Sequence, residues 1–415
     1  MRFIEETWSS EKLGNLCKIT MGQSPSSKNY SKNSNDTILI QGNADLISGK
    51  IVPRIYTSEI TKLSYPGDII LTVRAPVGDL AINEFDSCIG RGVCSIKGNK
   101  FIYYYLESLK DKHVWERLSQ GSTFESVNSN DIKNLNLKIP SNSTQNHIIN
   151  FFTAIDTKIE LLQKKHGEYI RFKQYLMQNI FADKSAEKLR FDFDDEWEFK
   201  KLGDISVVKD GTHDSPKHVD NGYPLITSKN LIGNGLDFEN VNYISNEDYD
   251  IINKRSNVDK GDILFGMIGT IGNPVIVETD DFAIKNVALI KEKTELLNNF
   301  LIYVLNTDLI RKQFYRLNAG GTQKFIALGL IKELSVPVPS IKEQKEISEF
   351  LSLVDNNLDN YRKQLHEINT FKKGLLQQMF VVRINWRCNF KLAKSPSFNK
   401  HLLILKNKII FIIIK

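Results

Sequence analysis

Residue types that cut bonds or hold metals occur in this 415-residue chain, but none is spaced for the task. Cys17, Cys88, Cys94 and Cys388 show no paired, metal-type spacing, so reduced, unlinked thiols are expected. His213 and His218 share one loop without the further ligands a metal site needs. The chain has neither an Asn/Asp-Pro-Pro-Tyr/Phe run for amino-group methylation nor a GxxxxGKS/T cradle for nucleotide phosphates. Nothing marks a Ser-His-Asp or Cys-His set. Asp68 with Arg74, and Asp262 alone, read as supports for turns. The expectation is a chain with no catalytic residue, no metal and no cofactor of its own.

Charge gives no direct pointer to a partner. The net +6 of the whole chain, less the +8 carried by residues 381–415, leaves −2 for the body. Any surface for an anionic partner must come from local clustering. The start, MRFIEETWSSEKLG, lacks a basic segment followed by an apolar stretch, so no secretion signal is read and a cytoplasmic location is expected.

The elements that must position the polar residues are written twice. WSSEKLGNL from Trp8 returns as WEFKKLGDI from Trp197, an offset of 189. GDIILTVRAPVGD (67–79) returns as GDILFGMIGTIGN (261–273), an offset of 194. From FIYYYL at 101 and FLIYVL at 300 the offset holds at 199. It places LKIPSNSTQNHIINFFTAID (137–156) on VPVPSIKEQKEISEFLSLVD (336–355), and Phe181 on Phe380. Drift confined to loops marks duplication of one folded unit.

Each copy opens with about 140 residues of short apolar runs punctuated by Gly, Asn, Ser and Asp, with one helix-like stretch at 101–119 or 298–318. A long helix follows. Its apolar or ring positions are Ile148, Phe152, Ile155, Ile159, Leu162, His166, Tyr169, Leu176 and Ile180 in the first copy. In the second they are Ile347, Leu351, Val354, Leu358, Tyr361, Leu365, Ile368, Leu375 and Met379. Steps of four and three are the heptad seam of a coiled coil, broken in both copies at the same place by Lys173 and Lys372. Pro140 and Pro339 end the preceding strands, and Ser340-Ile-Lys-Glu343 is a capping box whose Glu is Thr144 in the first copy. Because the chain must return to its second helix, an antiparallel pair is expected, with the two globular domains related by an approximate two-fold axis. Domain limits are set at 1–140, 141–182 (first helix), 183–196 (acidic linker), 197–340, 341–380 (second helix) and 381–415 (tail). The class is α+β: two similar mixed α/β domains separated by a long antiparallel coiled coil.

A seam from Ile148 to Ile180 spans about 48 Å at 1.5 Å per residue. That matches about fourteen base pairs of B-DNA, and two related readers at fixed spacing suit two half-sites on one duplex. The readers differ in sequence, so the site is expected to be asymmetric. On LGNL and LGDI, GQSPSSKNY (22–30), the paired GDI segments, PSIKEQKEISEFLSLVDNNLD (339–359) and FKKGLLQQMF (371–380), residues 4–380 resemble the specificity subunit of type I restriction-modification systems. The resemblance implies two target-recognition domains that bind double-stranded DNA and no catalysis in this subunit. It also implies docking of two methyltransferase subunits, recruitment of motor-nuclease subunits, and adenine modification. S-adenosylmethionine, ATP and Mg are then expected in the partner subunits, and no membrane. A stand-alone two-domain DNA-binding regulator, and an enzyme fragment with a hidden constellation, are the rival readings.

Phosphate contacts call for Lys, Arg, Ser, Thr or backbone N–H, and base edges for Arg, Lys, Asn or Gln. The expected DNA contacts in the first copy are Gln23, Ser24, Ser26, Lys28, Arg74, Ser122 and Thr123. In the second copy they are His213, Lys217, Lys229, Asn230, Thr322, Gln323 and Lys324. Arg74 stands out because the buried-looking strand before it aims it, whereas its counterpart is Ile268. Gln145, Asp156, Gln344 and Asp355 are read as outer helix positions, for methyltransferase docking or for solubility and capping. The tail has no counterpart after Phe181. Its run LLILKNKIIFIII, thirteen residues with two lysines, is too short and charged to span a bilayer. It reads as a poorly folded extension and an aggregation hazard.

Overall fold

The computed structural model describes residues 7–110, 114–119, 126–182, 189, 191–233, 235–269, 271–317 and 325–380. The expectations for Ser122, Thr123, Thr322, Gln323, Lys324, Cys388 and the tail lie outside these residues. The chain divides into two compact units, one of residues 1–162 with 364–415, the other of residues 163–363. Each unit therefore combines the first part of its own copy's long helix with the last part of the other copy's.

In the first unit a six-stranded sheet runs in the order Lys18–Met21, Val93–Lys97, Ile69–Thr72, Leu80–Ile82, Lys50–Ile51, Leu46–Ile47. A five-stranded sheet runs Tyr30–Ser31, Tyr56–Thr57, Thr37–Ile40, Ser87–Ile89, Leu63–Ser64. The strand Ile69–Thr72 is buried at every position, which is why its sequence is a continuous apolar run rather than an alternation. In the second unit the corresponding four-stranded sheet runs Val207–Asp210, Val287–Lys291, Ile263–Gly266, Gly272–Ile276, beside a three-stranded sheet of Asn242–Ile244, Tyr223–Ile226 and Ala283–Ile284. A two-stranded antiparallel ribbon closes each domain, Ser9–Lys12 on Asn136–Ile139 and Glu198–Lys201 on Ser335–Val338.

The paired GDI segments are one turn used twice. Gly67 and Gly261 both sit at φ 91°, and the Asp68 and Asp262 amides donate to Tyr65 and Asp259 carbonyls at 3.0 and 3.1 Å. This is a turn whose third position requires positive φ. Both aspartates brace this turn, Asp68 without the Arg74 partner expected for it. Asp68 Oδ2 accepts from Ser95 Oγ at 2.8 Å and Tyr65 N at 3.1 Å, and Asp262 Oδ2 from Asp259 N at 2.7 Å and Lys291 Nζ at 2.6 Å.

Each helix-like stretch expected as a single helix is two: Lys100–Lys110 with Val114–Ser119, and Asn298–Leu305 with Asp308–Leu317. The second unit also gains a helix, Asn246–Ser256, capped by Ser245 and carrying Arg255 in its last turn. The long helices run Asn142–Ile180 and Ile341–Phe380, 39 and 40 residues. Ser340 Oγ accepts the Glu343 amide at 3.3 Å, and Ser141 does the same for Thr144 at 3.3 Å, so both copies are capped despite the missing Glu.

Along the expected seam, Ile148, Phe152, Ile155, Ile159, Leu162, Leu176, Ile347, Leu351, Val354 and Leu358 are buried. Tyr169, Tyr361, Leu365, Ile368 and Leu375 are half-buried, and Leu376, one place beyond Leu375, takes the buried position. Within the first unit Phe380 stacks near Phe152 at 6.4 Å while Lys372 pairs with Asp156, so one helix ascends as the other descends. Within the second unit Tyr169 meets Tyr361 and Lys173 meets Asp355, again in opposite order.

Candidate DNA-reading rims

In each unit three adjacent strands end at one rim of the larger sheet. In the first unit Cys94 pairs with both Met21 and Leu71, and Val93 with Thr72. Past those pairs the Val73 amide donates to Gly92 O and the Gln23 amide to Ile89 O, both at 2.9 Å. Gln23, Ser24, Arg74 and the turn around Arg91 are thereby gathered together. Arg74 forms a bridge with Ser126. A Cβ on Gly92 would meet Gln41 O at 2.1 Å, so the turn bearing Arg91 packs against its neighbour at a distance only glycine allows. Ser24 Oγ accepts the Arg91 amide at 3.1 Å and fixes the turn's tip. Arg74 and Arg91 are exposed. Arg91 was not among the expected contacts; its one signal in the sequence is the Gly-Arg-Gly tripeptide at a strand end.

The loop from Gln23 to Lys28 is a built structure. Glu59 Oε2 accepts from the Ser26 amide at 2.9 Å and from Asn29 Nδ2 at 2.6 Å. Those two bonds hold the Glu59 carboxyl below its usual range. Gln23, Ser26 and Lys28 stay exposed on the loop.

The second unit repeats the rim with other side chains. The Gly211 amide donates to Val287 O and the Ile326 amide to Met267 O, as Gly22 does to Val93 O and Val127 to Val73 O in the first unit. Ile268 bridges Phe325 where Arg74 bridges Ser126. Both apolar side chains are open to solvent, at 39% and 37%. The turn opposite carries Lys285 and Asn286; Lys285 Nζ donates to Ser215 Oγ at 2.6 Å. His213 is held on both ring nitrogens, 2.8 Å from Asn286 Oδ1 and 2.8 Å from Asp210 Oδ2, and Arg255 pairs with the same aspartate. The Asn286 bond, then Asp210, raise the His213 pKa above its ordinary value. Lys217, four residues on, and Lys229 are exposed. Arg255 and Lys285 were missed, because the inserted helix and the strand-end turn become neighbours of His213 only on folding.

Two sequence expectations are corrected. Asn230 is 4% exposed, its Oδ1 accepting from Thr227 N and Oγ1 and its Nδ2 donating to Asp237 and Asn240 carbonyls, so its amide is saturated by its own loop. Gln145 and Gln344 are not outer helix positions. Gln344 is fully buried and ties the helix start to Leu297 N, Glu295 O and Pro339 O, while Gln145 bonds Asn99 and Pro140 O.

Asp156 and Asp355 are likewise engaged within the units. Lys372 Nζ lies 2.9 Å from both Asp156 Oδ1 and Glu107 Oε1 and 5.5 Å above the Tyr104 ring, whose hydroxyl donates to Asp156 at 2.7 Å. Lys173 Nζ lies 2.5 Å from Asp355 Oδ1 and 5.7 Å above the Tyr303 ring, whose hydroxyl donates to Asp355 at 3.1 Å. Burial pulls the Lys372 ammonium down, but Glu107 and Asp156 outweigh it and leave its pKa raised. The lysines that break the seam are the ones that find carboxylates.

Among the described residues no cluster of His, Cys, Asp and Glu has the makings of a metal site, and no helix is long and apolar enough to cross a membrane. Cys17 and Cys94 are buried thiols, pushed by desolvation to about 11 and about 12, which keeps them protonated at neutral pH.

The family model described as the type I restriction modification DNA specificity domain matches twice, over residues 5–168 and 194–370. The MjaX type I restriction enzyme specificity subunit of Methanocaldococcus jannaschii is 36% identical over 195 residues, 45% of this chain and 45% of that relative; the chain thus spans less than half of that relative's length. The MjaVIII specificity subunit of the same organism is 24% identical over 309 residues, 70% of this chain and 71% of the relative. In fold, the chain is similar to the crystal structure of a type I restriction-modification S subunit from M. genitalium, with a TM-score of 0.61 at 19% identity, covering 92% of this chain and 98% of that one. With its specificity domain present in both copies of the repeat, the chain belongs to the type I restriction-modification DNA specificity family.

Proposed function

We propose that this chain gives a type I restriction-modification complex its sequence specificity, each rim reading one half of a split, asymmetric site in double-stranded DNA. The observation that carries this reading is a rim built from equivalent strand ends in both units but lined by different side chains. A shared backbone presents both rims alike, and divergent side chains make the two half-sites differ. In this reading the long helices pair as an antiparallel coiled coil about an approximate two-fold axis and fix the half-site spacing. The opposite order of cross-helix pairs within each unit supports that pairing. Adenine methylation and restriction then belong to partners, two methyltransferase subunits and the motor-nuclease subunits, which supply S-adenosylmethionine, ATP and Mg. This chain's part is to bind and orient DNA.

The test is co-expression of the full chain with a cognate methyltransferase subunit, followed by genome-wide mapping of methylated adenine. One split, asymmetric motif is expected, and exchanging residues 7–140 for another reader changes one half alone. Methylation without a split motif, or none with an active methyltransferase, overturns the reading.

A further inference from the structure

The two rims carry different side chains on a shared backbone bridge, and that difference bears on which bases each reads. This inference rests on the function proposed above. We infer that the first rim reads guanine through Arg74 and Arg91, and that the second reads thymine through its methyl group, using Ile268 and Phe325.

The same bridge closes both rims, Arg74 with Ser126 in one unit and Ile268 with Phe325 in the other. The hydrogen bond beside it is also shared, Val127 N to Val73 O at 3.0 Å and Ile326 N to Met267 O at 2.8 Å. Backbone geometry being common, side-chain chemistry is what distinguishes the two. On the first rim two exposed guanidiniums stand at adjacent strand ends, neither with a hydrogen bond or ion pair among the described residues. Their backbones are fixed, Arg74 by the bridge and Arg91 by Ser24 and the flanking glycines. A planar fork on a fixed stem matches the two acceptors, O6 and N7, that guanine presents in the major groove, and no other base presents that pair there.

On the second rim no guanidinium stands at the bridge. Two apolar side chains are presented to solvent instead. Ser228 Oγ accepts from the Met267 and Ile268 amides at 3.1 and 3.3 Å and donates to Asn286 O at 3.1 Å, so the turn bearing Lys285 and Asn286 lies beside the bridge. The one apolar group on a major-groove base edge is the thymine C5 methyl. An exposed Ile–Phe pair fits that group and has no donor to offer guanine.

The experiment uses the full chain with its methyltransferase subunit. Methylated motifs are mapped for the native protein and for Arg74→Gln, Arg91→Gln and Arg91→Lys. The half-site governed by the first unit is expected to contain guanine. The Gln variants should lower discrimination at a guanine position by about tenfold or more, and Arg91→Lys, which keeps the charge but loses the planar fork, should lower it by a smaller factor. The other half of the motif stays unchanged, which also reports a folded protein. For the second rim, duplexes with deoxyuridine in place of thymine lack only the methyl. Binding by the native complex should weaken by about fourfold per contacted methyl, and Ile268→Ala with Phe325→Ala should abolish that difference. A first half-site without a G·C pair, uniformly weaker methylation with an unchanged motif in the arginine variants, or indifference to deoxyuridine overturns the inference while leaving the split motif standing. Absence of any split motif overturns the proposed function and this inference with it.

Discussion

Lys372 illustrates how much one residue decides here. Its side chain is 11% exposed and faces two carboxylates, Glu107 and Asp156, that are 28% and 32% exposed. Taking it away leaves both acids unpaired in a partly buried site, so Lys372→Ala is expected to cost about 1–3 kcal/mol in chemical denaturation. The triple variant Lys372→Met, Glu107→Gln, Asp156→Asn should recover at least half of that, because no charge is left uncompensated. A triple variant as unstable as the single one would mean that the lysine acts through its packed stem alone. His213 gives a pH-dependent counterpart. Its folded pKa is raised, chiefly by Asn286 and then by Asp210. Its contribution to stability is therefore fully present below the unfolded value of about 6.5 and is lost as pH rises through the higher folded value. An NMR titration should place its midpoint above 6.5, and Asn286→Ala should bring it down; a midpoint at or below 6.5 in the native protein would contradict the geometry.

At the scale of elements, the helix ends serve the other copy's domain. Phe380 closes an aromatic cluster with Trp8, Phe101 and Tyr105, at centroid distances of 6.3, 5.5 and 5.0 Å. Phe181 does the same for Trp197 and Phe300, at 6.0 and 5.8 Å. Phe380→Ala should thus destabilise by about 3–5 kcal/mol and open amides near Leu13–Leu16, far away in sequence, rather than those near Leu202–Ile205. Phe181→Ala should show the reverse, and hydrogen exchange resolves the two. The alignment of Phe181 with Phe380 was legible in the sequence. Its consequence was not, because an aromatic residue at a helix end carries no mark of which domain receives it. The reading of Gln145 and Gln344 as outer positions failed for a related reason. A helical wheel counts one partner, the other helix, and ignores the domain that covers the helix's first turns.

For the whole molecule, the division into units predicts how the chain comes apart. The first unit depends on residues 364–380, whereas the second is contained within 163–363. A chain cut after residue 363 should keep the second unit's melting transition and lose or sharply lower the first's, as followed by calorimetry. Equal loss of both transitions would show that the units are not separately cooperative.

What the sequence by itself determined is whatever repeats: two copies, two long helices with heptad apolar positions and capped starts, the GDI turns, and a resemblance specific enough to give the family. Periodicity and duplication are properties of the order of residues, so they can be read along the chain. What only the tertiary structure decided is adjacency. It brought Arg91 beside Arg74, set Ile268 and Phe325 where the first copy has Arg74 and Ser126, buried Asn230, and matched Lys173 and Lys372 to aspartates on the other helix. Such pairs lie tens to hundreds of residues apart, and the strand register and helix order that join them are fixed by burial of the whole apolar set rather than by any local signal.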